Sequence, residues 1–145
     1  MTKSMTVTMT PIGFLYTDCR DIPRHWSLSE VEGTIVIDPA YVEGLADIVA
    51  GQRIMVLFWF HKSPAFSSSF LRQTPPHRNA ALGVFSICSP RRPNPIGLSV
   101  LNVLEVHQGK IRVKGVDMLD GTPILDIKPY ITGKNDCPSY SEAAS

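Results

Sequence analysis

Little in this 145-residue sequence is in excess. Lysine and arginine number 14 against 13 aspartates and glutamates, a formal net charge of +1. The basic surplus that marks most duplex-binding domains is therefore missing, and any nucleic-acid contact must come from a local patch such as Arg91 and Arg92. No apolar run approaches the ~18 residues of a membrane-spanning helix; the longest, Ile54 to Phe60, has the length of a buried strand. The opening residues, Met1 to Thr6, lack the apolar stretch of a secretory signal. Three cysteines, Cys19, Cys88 and Cys137, are odd in number and widely spaced, so no disulfide framework is expected and cytoplasm is the expected compartment. None of the 10 glycines forms a G-x-G, which removes the dinucleotide fingerprint and the Rossmann sheet that carries it. There is no P-loop and no G-x-S-x-G elbow. His25, His61, His77 and His107 show no metal-ligand spacing; they read as solvated or hydrogen-bonded, and no metal site is expected.

What is present is an ordinary globular balance, 43% apolar and 19% charged, in a length that suits one domain. Strand patterns dominate. Val7–Thr10 alternates, and an extended run from Pro11 to Tyr16 follows it. Thr34–Ile37 is β-branched throughout and ends at Asp38-Pro39, a capping residue followed by a first-turn proline. Tyr41, Val42, Leu45, Ile48 and Val49 then recur at helical spacing, which predicts one helix of two to three turns ending at Gly51. Residues 53–61 predict a strand covered on both faces, and Leu82–Ile87 another. Between them, the polar Lys62–Asn79 stretch exceeds the ~12–15 residues usual for structureless loops, so it is either disordered or a functional lid. Val100–Val106 fits a helix nearly as well as a strand. The clean alternation of Ile111–Lys114 beyond the turn at His107–Lys110 decides for a hairpin. Ile124–Tyr130 predicts a last strand and 132–145 a mobile tail. Seven or so short strands that do not alternate with helices predict an all-β fold, a single closed or nearly closed barrel over 1–131 with one short helix.

Two segments are too polar and too stiff to be core alone. In Ser89–Ser99 (SPRRPNPIGLS), three prolines fix φ and hold Arg91, Arg92 and Asn94 as donors suited to a carboxylate or phosphate, with Gly97 allowing close backbone approach. Taken plainly, this is a rigid surface loop with solvated arginines. In Gly115–Tyr130, Asp117, Asp120 and Asp126 lie in or beside apolar strands, where a carboxylate must be paired. Asp120-Gly121 is a turn signal, and Asp126 and Lys128, two apart, share a strand face and read equally well as a structural pair. Cys88 reads as a small buried filler.

Together GVF at 83–85, SPRRPNPIGLS at 89–99 and VDMLDGTPILDIKPY at 116–130 resemble the signature of the TsaA/TrmO family. Weaker likeness at Pro11-Ile12-Gly13, Pro23-Arg24 and Val42–Leu45 extends the resemblance over most of 11–131, as in the family's short members. The resemblance implies a homodimeric β-barrel methyltransferase that uses S-adenosylmethionine. It implies methylation of the exocyclic nitrogen of threonylcarbamoyl-adenosine beside the tRNA anticodon. It places the cofactor against Phe85, Ser86, Ile87, Cys88 and Leu98 and against the run Asp117, Met118, Leu119, Asp120, Gly121 and Thr122. Arg91, Arg92 and Asn94 would face the substrate or the partner subunit. The family's frequent ATRSP reads Ser86-Ile87-Cys88-Ser89-Pro90 here, so the usual arginine is Cys88, and a fixed cation beside the cofactor, which bears on the substrate, is missing.

Methyl transfer from a sulfonium needs alignment and a proton acceptor. Asp117 or Asp120 is the candidate base, Asp126 and Lys128 (with Tyr130 beyond them) would support the pocket, and the same aspartates could serve the sulfonium instead. Arg24, Arg91 and Arg92, with Arg72, His77 and Arg78 of the long loop, are the cations available to tRNA. The alternative is a protein that binds S-adenosylmethionine to sense it, or to use it on a small molecule, without tRNA. A non-enzymatic RNA-binding module is disfavoured because no basic face with interleaved aromatics is visible in the sequence.

Overall fold

The structure, a computed structural model, describes residues 4–133 and 137–139. Six antiparallel strands close into a barrel. They are β1 (Gly13–Tyr16), β2 (Glu32–Ile37), β3 (Arg53–Trp59), β6 (Ile96–His107), β7 (Lys110–Lys114) and β8 (Thr122–Pro129), in the spatial order β1-β2-β7-β6-β3-β8. Two further two-residue strands, β4 (Arg72–Gln73) and β5 (Leu82–Gly83), pair outside the barrel. Alternation explains the inward face: Ile35 and Ile37 on β2, Ile54, Val56 and Phe58 on β3, and Ile111 and Val113 on β7 are all buried. Burial of each such side chain is worth about 1.5–3 kcal/mol. The β6–β7 hairpin turns at Gln108 and Gly109, both left-handed (φ 48° and 76°), the twist that suits a two-residue connection.

Closure follows from β1, which pairs with β2 on one side and β8 on the other, Gly13 facing both Ile37 and Ile124. With both edges taken, no free edge remains for the predicted strand at Val7–Thr10. That stretch has no strand partner, and Met5, Val7 and Met9 are exposed. The predicted helix also differs. It is a 3-10 helix over Pro39–Leu45, capped by the Asp38 side chain, and it stops six residues before Gly51. Gly44 lies inside it, and only Leu45 of that element is buried, too little apolar area to hold a longer α-helix.

Three other expectations change. On β3 only the inward face is fully covered; Met55 and Leu57 are half-buried and Trp59 is exposed. Leu82–Ile87 is strand only at Leu82–Gly83, then a 3-10 turn over Val84–Ser86. The Lys62–Asn79 stretch is not without secondary structure: it holds a 3-10 turn at Ser68–Leu71 and β4, which pairs with β5 just beyond it. Most of the predicted tail, 134–136 and 140–145, lies outside the described residues. Among the described residues no helix is long and apolar enough to cross a membrane.

Candidate active site

At the barrel end where β3 finishes and β6 and β8 begin, four chain segments enclose a cavity of about 970 Å³. Its floor comes from the strand ends. Phe58 and Met118 are buried there, and Phe58 meets Phe60 edge-on at 4.9 Å between ring centroids. Trp59, Ile96, Leu98 and Leu119 form a partly exposed apolar rim. The register explains one detail. Gly97 stands opposite Phe58, and a Cβ on Gly97 would lie 2.3 Å from the Phe58 ring. The glycine therefore admits an aromatic ring of the floor, a packing reason for its presence that the sequence did not show, and it also lines the cavity.

The second wall, Arg24, His25, Trp26 and Leu28, comes from the long β1–β2 connection. His25 caps the 3-10 turn Trp26–Leu28; its Nδ1 accepts from the Ser27 backbone N–H at 3.3 Å and lies 2.7 Å from Ser27 Oγ. Arg24 reaches the His77 ring across the cavity rim. The third wall is the 62–76 excursion, and it is tied to the fourth, the proline-rich loop Ile87–Arg92. Gln73 Nε2 donates to the carbonyls of both Phe70 (2.7 Å) and Arg91 (2.8 Å), and Ser63 Oγ donates to the Pro90 carbonyl at 3.0 Å. The Arg91 guanidinium also lies 5.2 Å from the Phe70 ring centroid, so in this structure the stretch that the sequence offered as a lid stands against the proline-rich loop as a wall of the cavity.

Arg92 faces inward but is already engaged. Its Nη1 donates to the carbonyls of Ile87 (2.9 Å) and Ser89 (3.1 Å), holding the loop on either side of Cys88. It shapes the wall more than it offers charge to a ligand. Cys88, expected as buried filler, is exposed and lines the cavity.

Asp117 is the single acidic side chain among the described residues of the cavity, against four cations, Arg24, Lys62, Arg91 and Arg92. Ser99, fully buried on β6, donates its hydroxyl to Asp117 Oδ1. Burial pushes the Asp117 carboxyl above the usual carboxylate range; the Ser99 hydroxyl, the Trp26 backbone N–H and nearby His25 pull the other way without cancelling it. The structure thus brings together Arg24, Ile87, Cys88, Arg91, Arg92, Leu98, Asp117, Met118, Leu119 and Thr122 of the residues expected at the site.

Others stand elsewhere. Phe85 is 81% exposed on its 3-10 turn, and Ser86, Asn94 and Gly121 do not line the cavity. Asp120 accepts from the Thr17 backbone N–H at 3.0 Å and lines a separate hollow of about 390 Å³, which shares only Lys62 and Leu119 with the main cavity. Asp126 and Lys128 form an ion pair at 3.0 Å away from the cavity, the structural pair that the sequence also allowed. Tyr130 stacks with Arg53, 4.4 Å from guanidinium carbon to ring centroid. The sequence reading missed His25, Trp26, Trp59, Phe60, His61 and Gln73. Its only trace of them was the HW pair at 25–26 and the WFHK run leading out of β3. In space these aromatics lie among Arg24, Lys62 and Arg91, so the interleaving of bases and aromatics absent from the sequence is present in the fold.

Residues 12–137 match the sequence profile described as the tRNA-methyltransferase O N-terminal domain. The chain belongs to this family. Among its relatives, an S-adenosyl-L-methionine-binding protein of Archaeoglobus fulgidus is 38% identical over 92% of this chain and 96% of its own length. The human tRNA (adenine(37)-N6)-methyltransferase is 47% identical over 54% of this chain but only 18% of its own. A crystal structure of TrmO from Pseudomonas aeruginosa superposes with a TM-score of 0.70 at 33% identity, covering 89% of this chain and 56% of that one. The TrmO fold is thus shared, and this chain spans just over half the length of that solved TrmO chain.

Proposed function

We infer that this TrmO-family domain binds S-adenosylmethionine in the barrel-end cavity and uses it to methylate an acceptor, the exocyclic N6 of threonylcarbamoyl-adenosine beside a tRNA anticodon. The observation that carries the reading is the composition of the cavity: an aromatic and apolar floor, four cations around the walls and one half-buried carboxylate. Its volume, about 970 Å³, stands at the upper end of the ~300–1,000 Å³ common for small-molecule pockets, which leaves room for a cofactor and part of an acceptor. That donor set fits a zwitterionic nucleoside. Aromatic faces suit an adenine, cations suit a carboxylate, and a carboxylate suits a sulfonium.

When bound, the cofactor supplies an activated methyl group on a positively charged sulfur. The chain's own residues align and protect. Phe58 and Met118 keep the floor apolar and Leu98 the rim, Arg92 holds the Ile87–Ser89 wall, and Asp117, the one carboxylate of the cavity, can take the proton that the acceptor nitrogen gives up. Asp120, tied to Thr17 outside the cavity, is not retained as a base. Arg24, Lys62 and Arg91 are the cations left for an RNA backbone. A homodimer, as the family resemblance implies, would double this modest patch.

The test is calorimetric titration with S-adenosylmethionine, followed by transfer of labelled methyl to tRNA with and without the threonylcarbamoyl group. Transfer to modified tRNA alone is the expected result. Binding without transfer to either tRNA would favour the second reading, a cofactor-binding protein acting on or sensing a small molecule. That reading draws support from the Archaeoglobus relative, which matches over nearly its whole length and is named only for binding.

A further inference from the structure

The main cavity is poor in negative charge. Arg24, Lys62, Arg91 and Arg92 surround it, His25 and His61 add two imidazoles, and the only acidic side chain among its described residues is Asp117. A cationic ligand group entering such a space meets repulsion everywhere except beside that carboxylate. Asp117 is also the group whose position is fixed. Fully buried Ser99, on β6, donates to its Oδ1, and the backbone N–H of Trp26 approaches from the β1–β2 connection. These donors hold the carboxylate at the cavity lining, where the apolar floor meets the charged walls.

We propose that Asp117 is the counter-charge to the sulfonium of the bound methyl donor, so that the site holds S-adenosylmethionine more tightly than the uncharged thioether left after transfer. This rests on the reading of the cavity as the cofactor site, and adds to it a means of discriminating donor from product. The charge accounting closes. Before transfer the positive sulfur faces an ionised carboxylate. Transfer breaks the sulfur–methyl bond, whose electron pair stays on sulfur, and forms a nitrogen–methyl bond from the acceptor's lone pair. The nitrogen's proton then passes to Asp117, so a neutral thioether finally faces a neutral acid. Burial, which already favours the protonated form of this carboxyl, assists the last step, and a bound sulfonium opposes it until the methyl has left.

The experiment is calorimetric titration of the full chain with S-adenosylmethionine and with S-adenosylhomocysteine, its thioether product, for the native protein and for Asp117→Asn. The asparagine keeps the size of the side chain and can still accept from Ser99. The native protein is expected to prefer the sulfonium by about tenfold or more, the scale of one partly desolvated ion pair. Asp117→Asn is expected to bind the two ligands within about twofold of each other. A native protein that binds both equally, or a variant that keeps the full preference, overturns the inference while leaving the cofactor site standing. Failure of the native protein to bind either ligand overturns the cofactor reading itself. A second measurement needs no variant. In the native protein the preference should shrink toward unity as the pH falls and Asp117 is protonated in the thioether complex; His25 and His61 are the imidazoles that share the cavity with it. A preference unchanged down to pH 4 also overturns it.

Discussion

Replacing Gly97 with alanine would set a methyl group where the Phe58 ring now lies. The three nearest ring atoms would stand 2.3, 2.5 and 2.8 Å from the new Cβ, whereas carbon atoms in contact settle at about 3.5–4.0 Å. Something must move by about 1 Å or more, and the neighbourhood offers little space. Phe58 is 2% exposed, and it packs edge-on against Phe60. Two relaxations are open. If the ring stays inside, strained rotamers and a displaced β3–β6 pairing cost about 1–3 kcal/mol. If it is expelled toward the cavity, the barrel end loses burial worth about 1.5–3 kcal/mol for one large apolar side chain. The two routes overlap at a loss of about 1.5–3 kcal/mol, a fall of roughly 3–12 °C in Tm for a chain of this size. Urea denaturation of the native protein, Gly97→Ala, Phe58→Leu and the double variant would measure it. Because leucine removes the ring atoms that clash, the double variant should be at least about 1 kcal/mol more stable than the sum of the two single losses implies. A Gly97→Ala protein within about 0.5 kcal/mol of native, or a cycle that adds without coupling, would refute the packing account.

Arg92→Ala should lower stability by about 1–2 kcal/mol through its two lost carbonyl bonds, and raise the cofactor Kd by about tenfold as the Cys88 wall loosens. Denaturation and calorimetry on the same protein would separate the two effects. Arg91→Ala should leave stability nearly unchanged but weaken tRNA binding and flatten its salt dependence; an unchanged slope of log affinity against log salt would mean that Arg91 touches no phosphate. Asp120→Asn should change methyl transfer by less than about twofold, because its carboxylate serves Thr17 outside the cavity. The raised Asp117 carboxyl carries a pH signature in the ligand-free protein. Between the usual carboxylate value and the raised folded one, the native state holds more proton than the unfolded state, so the contribution of this group to stability falls as pH rises through that window. Thermal melts should therefore show Asp117→Asn gaining on the native protein from acid to neutral pH, with no gain below the usual carboxylate range.

The barrel was legible because its strands announce themselves locally. Ile111–Lys114 alternates cleanly, Thr34–Ile37 is β-branched, and the Gln108-Gly109 turn settles what Val100–Val106 left ambiguous. Where tertiary pairing decides, local pattern misled. Val7–Thr10 alternates as well as any strand, but β1 already has a neighbour on each side. Leu82–Ile87 looks extended but pairs only at Leu82–Gly83, because β4 offers it two residues. The site was half legible for a similar reason. Its polar loop and the Asp117–Thr122 segment stand out in sequence, whereas Trp26, Trp59 and Phe60 look like ordinary core or rim until the fold gathers them. The carboxylates show the limit most clearly. Sequence offered Asp120 a turn and Asp126 a Lys128 partner without deciding whether either served the site; burial at Asp117, the Thr17 amide at Asp120 and the Lys128 ammonium at Asp126 separate the three.

The pairing of Gly13 with Ile124 has a consequence for synthesis. The first barrel strand leaves the ribosome long before its β8 partner exists, an interval on the order of ten seconds at common elongation rates. Until then β1 can pair only with β2, and the segment from Asp117 to Thr122 that completes the cavity has not been made. Barrel closure and the binding site therefore arrive in one late event, and a nascent chain arrested before residue 122 should capture no ligand however much of its sheet has formed.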